Sequence, residues 1–72
     1  MVSRNQIYQF VEDNFSSFQW HDAQELPYAK QIIIAKMDDG QYRSDYAINM
    51  VLFWGKVSKW VDANIVKQKM NT

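Results

Sequence analysis

One short stretch of the chain contains the side chains that most often take part in catalysis or metal binding. His21, the only histidine, is followed by Asp22 and, four residues after the histidine, by Glu25. An imidazole beside carboxylates can transfer protons or bind zinc or manganese. However, adjacent side chains point apart in an extended chain, and no serine lies in a glycine-flanked nucleophile elbow. We interpret the stretch as a solvated loop and predict no catalytic and no metal-binding residue.

Residue types exclude most other cofactor chemistry. The chain has no cysteine, so disulfides, thiolate nucleophiles and cysteine-bound zinc or iron–sulfur sites are absent. Two glycines, Gly40 and Gly55, are too few for a phosphate-binding glycine loop. Asp38 and Asp39 precede Gly40 and fit a turn better than a calcium site, which needs about six to eight oxygen ligands. We therefore expect a protein that is not an enzyme and binds no cofactor.

The aromatic and cationic side chains of the second half are the candidates for binding a partner. Rings on a sheet can stack on bases while cations contact phosphates, and protein interfaces favour tyrosine, tryptophan and arginine at their centres. The alternative is that the same rings form the hydrophobic core. The candidate partner-binding residues are Tyr42, Arg43, Tyr46, Trp54, Lys56, Lys59 and Trp60.

Composition predicts one small domain over residues 1–72. A chain of 72 residues has room for one core, and its 47% hydrophobic and 15% aromatic content can supply a dense one. Met1–Gln6 is polar and begins no signal peptide, and no later stretch approaches about 20 apolar residues. We expect a cytosolic protein with no membrane association.

Charge is balanced overall but uneven along the chain. The formal net charge is zero, yet residues 1–45 carry four basic and seven acidic side chains, and residues 46–72 carry four basic and one acidic. This asymmetry is typical either of an ordinary solvated surface or of one acidic and one basic face. Four lysines are fewer than a dedicated nucleic-acid-binding domain would present.

The N-terminal segment has the pattern of an amphipathic helix. Ser3 and Gln6 have the spacing of a capping box, in which each side chain bonds the backbone amide of the other residue. The spacing predicts a helix over about residues 4–17. Its apolar face contains Ile7, Phe10, Val11, Phe15 and Phe18.

Strand patterns follow an irregular connection over residues 18–28, which includes Leu26-Pro27. Gln31–Met37 is rich in β-branched residues, with Ile32 and Ile34 on one face and Ile33 and Met37 on the other. The turn Asp38–Gly40 predicts a hairpin with a second strand that starts at Tyr42.

The region after this second strand leaves alternatives open. Residues 47–54 are apolar enough to form either a continuation of the strand or a helix. Lys56–Val61 is extended, and residues 62–72 form either a short capped helix or a loose tail. The elements predict an α+β fold, with the N-terminal amphipathic helix packed on a two- or three-stranded antiparallel β-meander.

Landmarks over residues 20–61 resemble a known family. Trp20–Pro27 is followed by an apolar strand, by the turn Asp38–Gly40 and by Phe53–Trp60. This order resembles the short phage and prophage domains of unknown function, family 551, although Lys59 stands where that family has a histidine. The resemblance implies a small phage accessory protein and assigns no catalytic residue.

These observations favour a non-enzymatic phage or prophage accessory protein that binds a host protein. Inhibition of a host defence or replication factor, as by an anti-CRISPR protein, fits this description. The alternative is a weak single-stranded nucleic-acid-binding module that uses the sheet aromatics and the basic C-terminal half. A homodimer that pairs sheet edges is a third hypothesis.

Overall fold

The computed structural model describes residues 3–71; residues 1–2 and 72, which belong to the predicted 1–72 domain, lie outside the described residues. The described chain contains helices α1 and α2, strands β1 to β4, a short 3-10 turn at Phe15–Ser17, and a longer 3-10 helix, here called the 3-10 segment. The bounds are α1 Arg4–Asp13, β1 His21–Asp22, β2 Ile32–Met37, β3 Tyr42–Tyr46, the 3-10 segment Ala47–Lys56, β4 Val57–Asp62 and α2 Ala63–Met70.

Helix α1 begins with the predicted capping box. The Gln6 N–H donates to Ser3 Oγ at 3.2 Å, and the Ser3 N–H donates to Gln6 Oε1 at 2.8 Å. The helix ends at Asp13, earlier than the predicted residue 17. The backbone angles of Asn14 (φ −119°, ψ 26°) leave the helical region, and its side-chain nitrogen donates to the Phe10 carbonyl at 2.9 Å. The following 3-10 turn redirects the chain toward the sheet.

The four strands form one antiparallel sheet in the order β1-β4-β2-β3, which confirms the α+β class. The hairpin between β2 and β3 is also confirmed: Gly40 has a φ of 87°, and its N–H donates to the Met37 carbonyl at 3.0 Å. Strand β1 lies within the predicted irregular connection. Its two residues pair with Trp60 and Lys59 of β4, and so short a strand has no readable periodicity.

Both faces of the sheet are covered. Ile32 and Ile34 pack with the helices, and Ile33 and Met37 pack with the 3-10 segment, as the alternation predicts. The buried residues on the helix side are Val11, Phe18, Ile34, Val61, Ala63 and Val66, and those on the other side are Ile33, Ala35, Met37, Ala47, Met50, Val57 and Trp60.

Residues 47–56 form the 3-10 segment, so the strand ends at Tyr46. In a 3-10 helix every third residue shares a face. Ala47 and Met50 are buried and Phe53 half-buried against the sheet, whereas Ile48 and Val51 on the next face are exposed. The segment lies across the sheet face and connects β3 to β4, which pairs with β2.

Of the two alternatives for the C-terminal residues, the structure forms the helix through Met70. Asp62 caps α2 by accepting from the Asn64 N–H at 2.7 Å, and Ala63 and Val66 are buried against the sheet. Among residues 3–71, neither helix has the length and apolar character needed to cross a lipid bilayer.

Candidate protein-docking surface

The structure does not bring the seven predicted partner-binding residues together on one surface. Trp60 is 5% exposed and lies in the core beneath the 3-10 segment, with Trp54 packed against that same cluster. Tyr42 packs on the opposite, helix-covered face, and Lys59 lies over the Phe15 ring. The remaining three, Arg43, Tyr46 and Lys56, are exposed.

The two tryptophans of this cluster hold the connection between β1 and β2. The Trp54 indole N–H donates to the Ala23 carbonyl at 2.8 Å, and the Trp60 indole N–H donates to the Glu25 carbonyl at 2.7 Å. A buried indole N–H requires such an acceptor. Each ring therefore packs in the core while its nitrogen fixes one point of a segment that has no regular structure of its own.

His21 is part of the same support. Its ring stacks on Trp60 with the centroids 4.4 Å apart, and its Nδ1 lies 2.7 Å from Glu25 Oε2. These contacts fold the His21–Glu25 stretch back on the core. Within residues 3–71, no three histidine, aspartate or glutamate side chains are grouped so that they could hold a metal ion.

Gln31 fastens the end of the connection. Its side-chain oxygen accepts from the Tyr28 N–H at 3.1 Å, and its side-chain nitrogen donates to Asp62 Oδ2 at 2.7 Å. Two backbone bonds then join this region to the 3-10 segment: Ala47 N–H to the Gln31 carbonyl at 2.8 Å and Ile48 N–H to the Ala29 carbonyl at 2.9 Å. The connection and the 3-10 segment are thus both held in place by hydrogen bonds, and they form the two walls of a groove.

An apolar groove of about 300 Å³ lies between these two walls. Three of its large side chains are exposed: Leu26 by 76% on one wall, and Ile48 by 58% and Val51 by 64% on the other. The groove is lined by Leu26, Pro27, Ala29, Ala47, Ile48, Val51 and Trp54. We call these lining residues the groove surface.

The groove surface is comparable to the largest apolar patch on a typical monomer. Leu26, Ile48 and Val51 together present on the order of 300 Å², and such patches measure about 300–600 Å². No lining residue carries a charge. Apolar patches of this extent commonly mark sites where another macromolecule binds.

Sequence reasoning missed most of this surface. Leu26-Pro27 indicated only a break in regular structure. The run from Ala47 is apolar at nearly every position, so its buried and exposed faces could not be distinguished from the sequence. The available signal was the three-residue spacing of Ile48, Val51 and Trp54, which places them on one face of a 3-10 helix and leaves Leu52 on another. Unless the run is known to be a 3-10 helix, the sequence does not tell whether residues that share a face are three apart, as in a 3-10 helix, or two apart, as in a strand.

A second aromatic cluster lies between α1 and the sheet, but its ring faces are already occupied. Tyr42 stacks on Tyr8 and Trp20, and Trp20 stacks on Phe15 at 4.7 Å. Lys36 Nζ lies 4.6 Å from the Phe15 ring centroid and 5.2 Å from that of Tyr42. Bases could stack here only by displacing these contacts, so the arrangement gives little support to nucleic-acid binding.

Glu12 of α1 anchors this cluster. It accepts a short hydrogen bond from the Tyr42 hydroxyl and lies 3.8 Å from Lys36 Nζ. Burial, together with this bond to the Glu12 carboxylate, raises the pKa of Tyr42 well above its usual range. The phenol therefore remains protonated and remains the donor.

The outer edge of the sheet at β3 is partly blocked. The Tyr46 N–H donates to Asp45 Oδ1 at 2.7 Å, and the same carboxylate oxygen accepts from the Asn49 side chain at 2.9 Å. These two donors lower the pKa of Asp45, with the Asn49 bond contributing most. Engaged edge groups are poor sites for adding a further strand.

Comparisons with protein-family models, with curated proteins and with solved structures found no match to this chain. The resemblance of residues 20–61 to the phage family therefore stays a prediction. Function is argued below from the groove surface.

Proposed function

We propose that this chain is a non-enzymatic binding module that docks a host protein through the groove surface. The observation that carries the proposal is the exposure of Leu26, Ile48 and Val51 in one uncharged groove. Keeping such side chains in water is unfavourable, by about 25 cal/mol for each Å² that a partner would cover. A partner with a matching apolar surface would remove that cost.

The rigidity of the groove supports the same proposal. The indole bonds of Trp54 and Trp60, the bonds of Gln31 and the backbone bond between Ile48 and Ala29 hold both walls in place. A surface that is already ordered loses little conformational entropy when a partner binds. A partner of complementary shape can therefore bind without this surface having to fold first.

The wider setting rests on the sequence resemblance. A small phage or prophage accessory protein that inhibits a host defence or replication factor would need a partner-binding surface and no catalytic site.

The exposed residues among the original candidates, Arg43, Tyr46 and Lys56, lie outside the residues that line the groove. In this proposal they are not the central contacts.

A capture experiment with matched variants tests the proposal. Tagged wild-type chain, the Leu26→Asp and Val51→Asp variants and the control Ile65→Asp would be incubated with nuclease-treated bacterial lysate. Ile65 is 48% exposed on α2 and does not line the groove, so its substitution places a carboxylate at an exposed apolar position elsewhere on the chain. We expect a stoichiometric protein partner with the wild type and the control, and its loss with both groove variants.

The purified partner would then be titrated against each variant. An aspartate at a covered apolar position leaves an unpaired charge in the interface, which costs about 2 kcal/mol or more, so affinity should fall by roughly 30-fold or more for Val51→Asp. Equal binding by groove variants and wild type would refute the proposal. Capture that disappears with nuclease would instead favour the single-stranded nucleic-acid alternative.

A further inference from the structure

We infer that Arg4 and Arg43 form a binding site for a small phosphate monoester, with the hydroxyl-bearing remainder of the ligand lying toward the turn Asp38–Gly40. The site is separate from the groove surface, because the two have no lining residue in common. The inference therefore does not depend on the proposed function, and either one can fail without the other.

A cavity of about 410 Å³ lies beside β3, the outermost strand of the sheet on that side. Arg4 of α1 and Arg43 of β3 both line it, and both side chains are exposed to solvent. Pockets that bind small ligands commonly measure about 300–1,000 Å³. The space is thus sufficient for a small ligand, with two cations at its edge.

Both guanidinium groups lie near the Tyr8 hydroxyl. Burial raises the pKa of that hydroxyl, and the positive charges of Arg4 and Arg43 partly offset the rise. Within residues 3–71, neither guanidinium donates a hydrogen bond or forms an ion pair. Asp45 also lines the cavity, but one of its oxygens already accepts two hydrogen bonds. Two positive charges therefore meet one negative charge, which favours an anionic ligand.

Arg43 is held in position before any ligand arrives. Its Cζ lies 4.9 Å from the centroid of the Phe53 ring. A guanidinium that stacks on a ring keeps the N–H groups of its edge available, and this planar fork matches two oxygens of a phosphate. The contact with Phe53 therefore orients the group that we expect to bind the phosphate.

A second cavity of about 760 Å³ adjoins the first, since Arg43 and Phe53 line both. Asp38, Asp39 and Lys56 line only this second cavity, where two carboxylates face one ammonium group. Carboxylates accept hydrogen bonds from hydroxyl groups and repel additional phosphates. The remainder of the ligand should therefore carry hydroxyl groups and no further negative charge, as in a sugar phosphate, unlike a chain of nucleotides.

Titration of the isotope-labelled full chain with ribose 5-phosphate, followed by amide chemical shifts, tests the inference. At about pH 8 and low salt the phosphate is a dianion. We expect saturable shifts in residues 4–8 and 38–45, half complete at about 1 mM, because water weakens exposed charge contacts. Inorganic phosphate should bind about tenfold more weakly, since it lacks the hydroxyl contacts, and ribose alone should not bind.

Variants assign the binding to the two arginines. Arg4→Gln and Arg43→Gln should each weaken binding of ribose 5-phosphate by about tenfold or more, and Arg43→Lys should have an intermediate effect because it keeps the charge but loses the fork. Lys67→Gln is the control, since it removes a positive charge from an exposed position of α2 that lines neither cavity. It should bind like the wild type. Circular dichroism spectra should be the same for all four variants, because each altered side chain is exposed.

Several results would overturn the inference. They are the absence of binding, equal affinity of Arg43→Gln and wild type, and shifts confined to residues outside both cavities. Equal affinity for phosphate and ribose 5-phosphate would overturn the position given to the hydroxyl groups, and tighter binding of a trinucleotide would favour the nucleic-acid alternative instead. Host-protein capture without phosphate binding overturns this inference alone, whereas phosphate binding without capture overturns the proposed function alone.

Discussion

Trp60→Phe tests whether Trp60 acts as a support for the groove surface. The substitution keeps an aromatic ring in the core but removes the indole N–H. In the native protein this nitrogen donates to the Glu25 carbonyl at 2.7 Å, and the ring is 5% exposed beneath His21. The variant therefore removes one bond that fixes the connection between β1 and β2.

The expected loss has two parts. A partly buried hydrogen bond contributes about 1 kcal/mol net, and the smaller ring leaves a void that costs about 1 kcal/mol more. The free energy of unfolding should fall by about 2 kcal/mol. For a domain of this size, each kcal/mol shifts the melting temperature by about 4–8 °C, so the expected decrease is about 8–16 °C.

Thermal and urea unfolding followed by far-ultraviolet circular dichroism would measure the change. Tyr28→Phe is the matched control, because it alters an aromatic side chain that is 85% exposed and should stay within about 0.5 kcal/mol of wild type. Amides of residues 21–27 should exchange faster in Trp60→Phe than in wild type. A Trp60→Phe protein as stable as Tyr28→Phe would refute the assigned role of the indole bond.

Three further predictions concern the turn, the helix-side cluster and the core. Gly40→Ala should lower the free energy of unfolding by about 1–2 kcal/mol, since Gly40 has a φ of 87°, whereas Gly55→Ala, in open space and without a positive φ, should cause no loss in urea denaturation. The pKa of Tyr42 is raised in the folded protein, so the stability it contributes is complete below its ordinary pKa of 10.0 and declines as pH rises above it. Wild type should therefore lose more stability than Tyr42→Phe between about pH 9 and pH 11, and parallel curves would contradict this reasoning. Ile34→Val, at a side chain 1% exposed, should cost about 0.5–1.5 kcal/mol in urea unfolding, and Ile65→Val at the surface should cost under about 0.5 kcal/mol; equal losses would argue against the assigned core.

Local signals explain why much of the fold could be predicted from sequence. The capping box of Ser3 and Gln6, the alternation of Ile32 to Met37 and the positive-φ glycine at residue 40 each depend on residues close together in the chain. Interactions over three or four residues are fully written in the sequence. For this reason the start of α1, the β2–β3 hairpin and the α+β class follow directly.

The remaining elements depended on contacts between distant residues. Strand β1 exists because His21 and Asp22 pair with β4, nearly 40 residues away in the chain, as the register His21 to Trp60 shows. Residues 47–56 are apolar on nearly every position, so their period could not be read. In the structure this run is the 3-10 segment, with Ala47 and Met50 packed against the sheet.

The candidate site shows the same division. Aromatic content pointed to Trp54 and Trp60, and the structure uses both rings in or against the core while their nitrogens hold the connection. Composition cannot distinguish a ring that faces a partner from one that supports the surface beneath it. Burial of the ring is settled only when the other elements are in place.

The sequence by itself determined which kinds of site are excluded, the N-terminal helix, the hairpin and the number of apolar residues. The tertiary structure decided which of these apolar residues stay exposed to solvent. Leu26 and Val51 are 25 residues apart, and nothing local distinguishes them from Ile33 or Val61. They belong to one surface because a backbone hydrogen bond joins Ile48 to Ala29. They stay exposed because other apolar residues already cover both faces of the sheet.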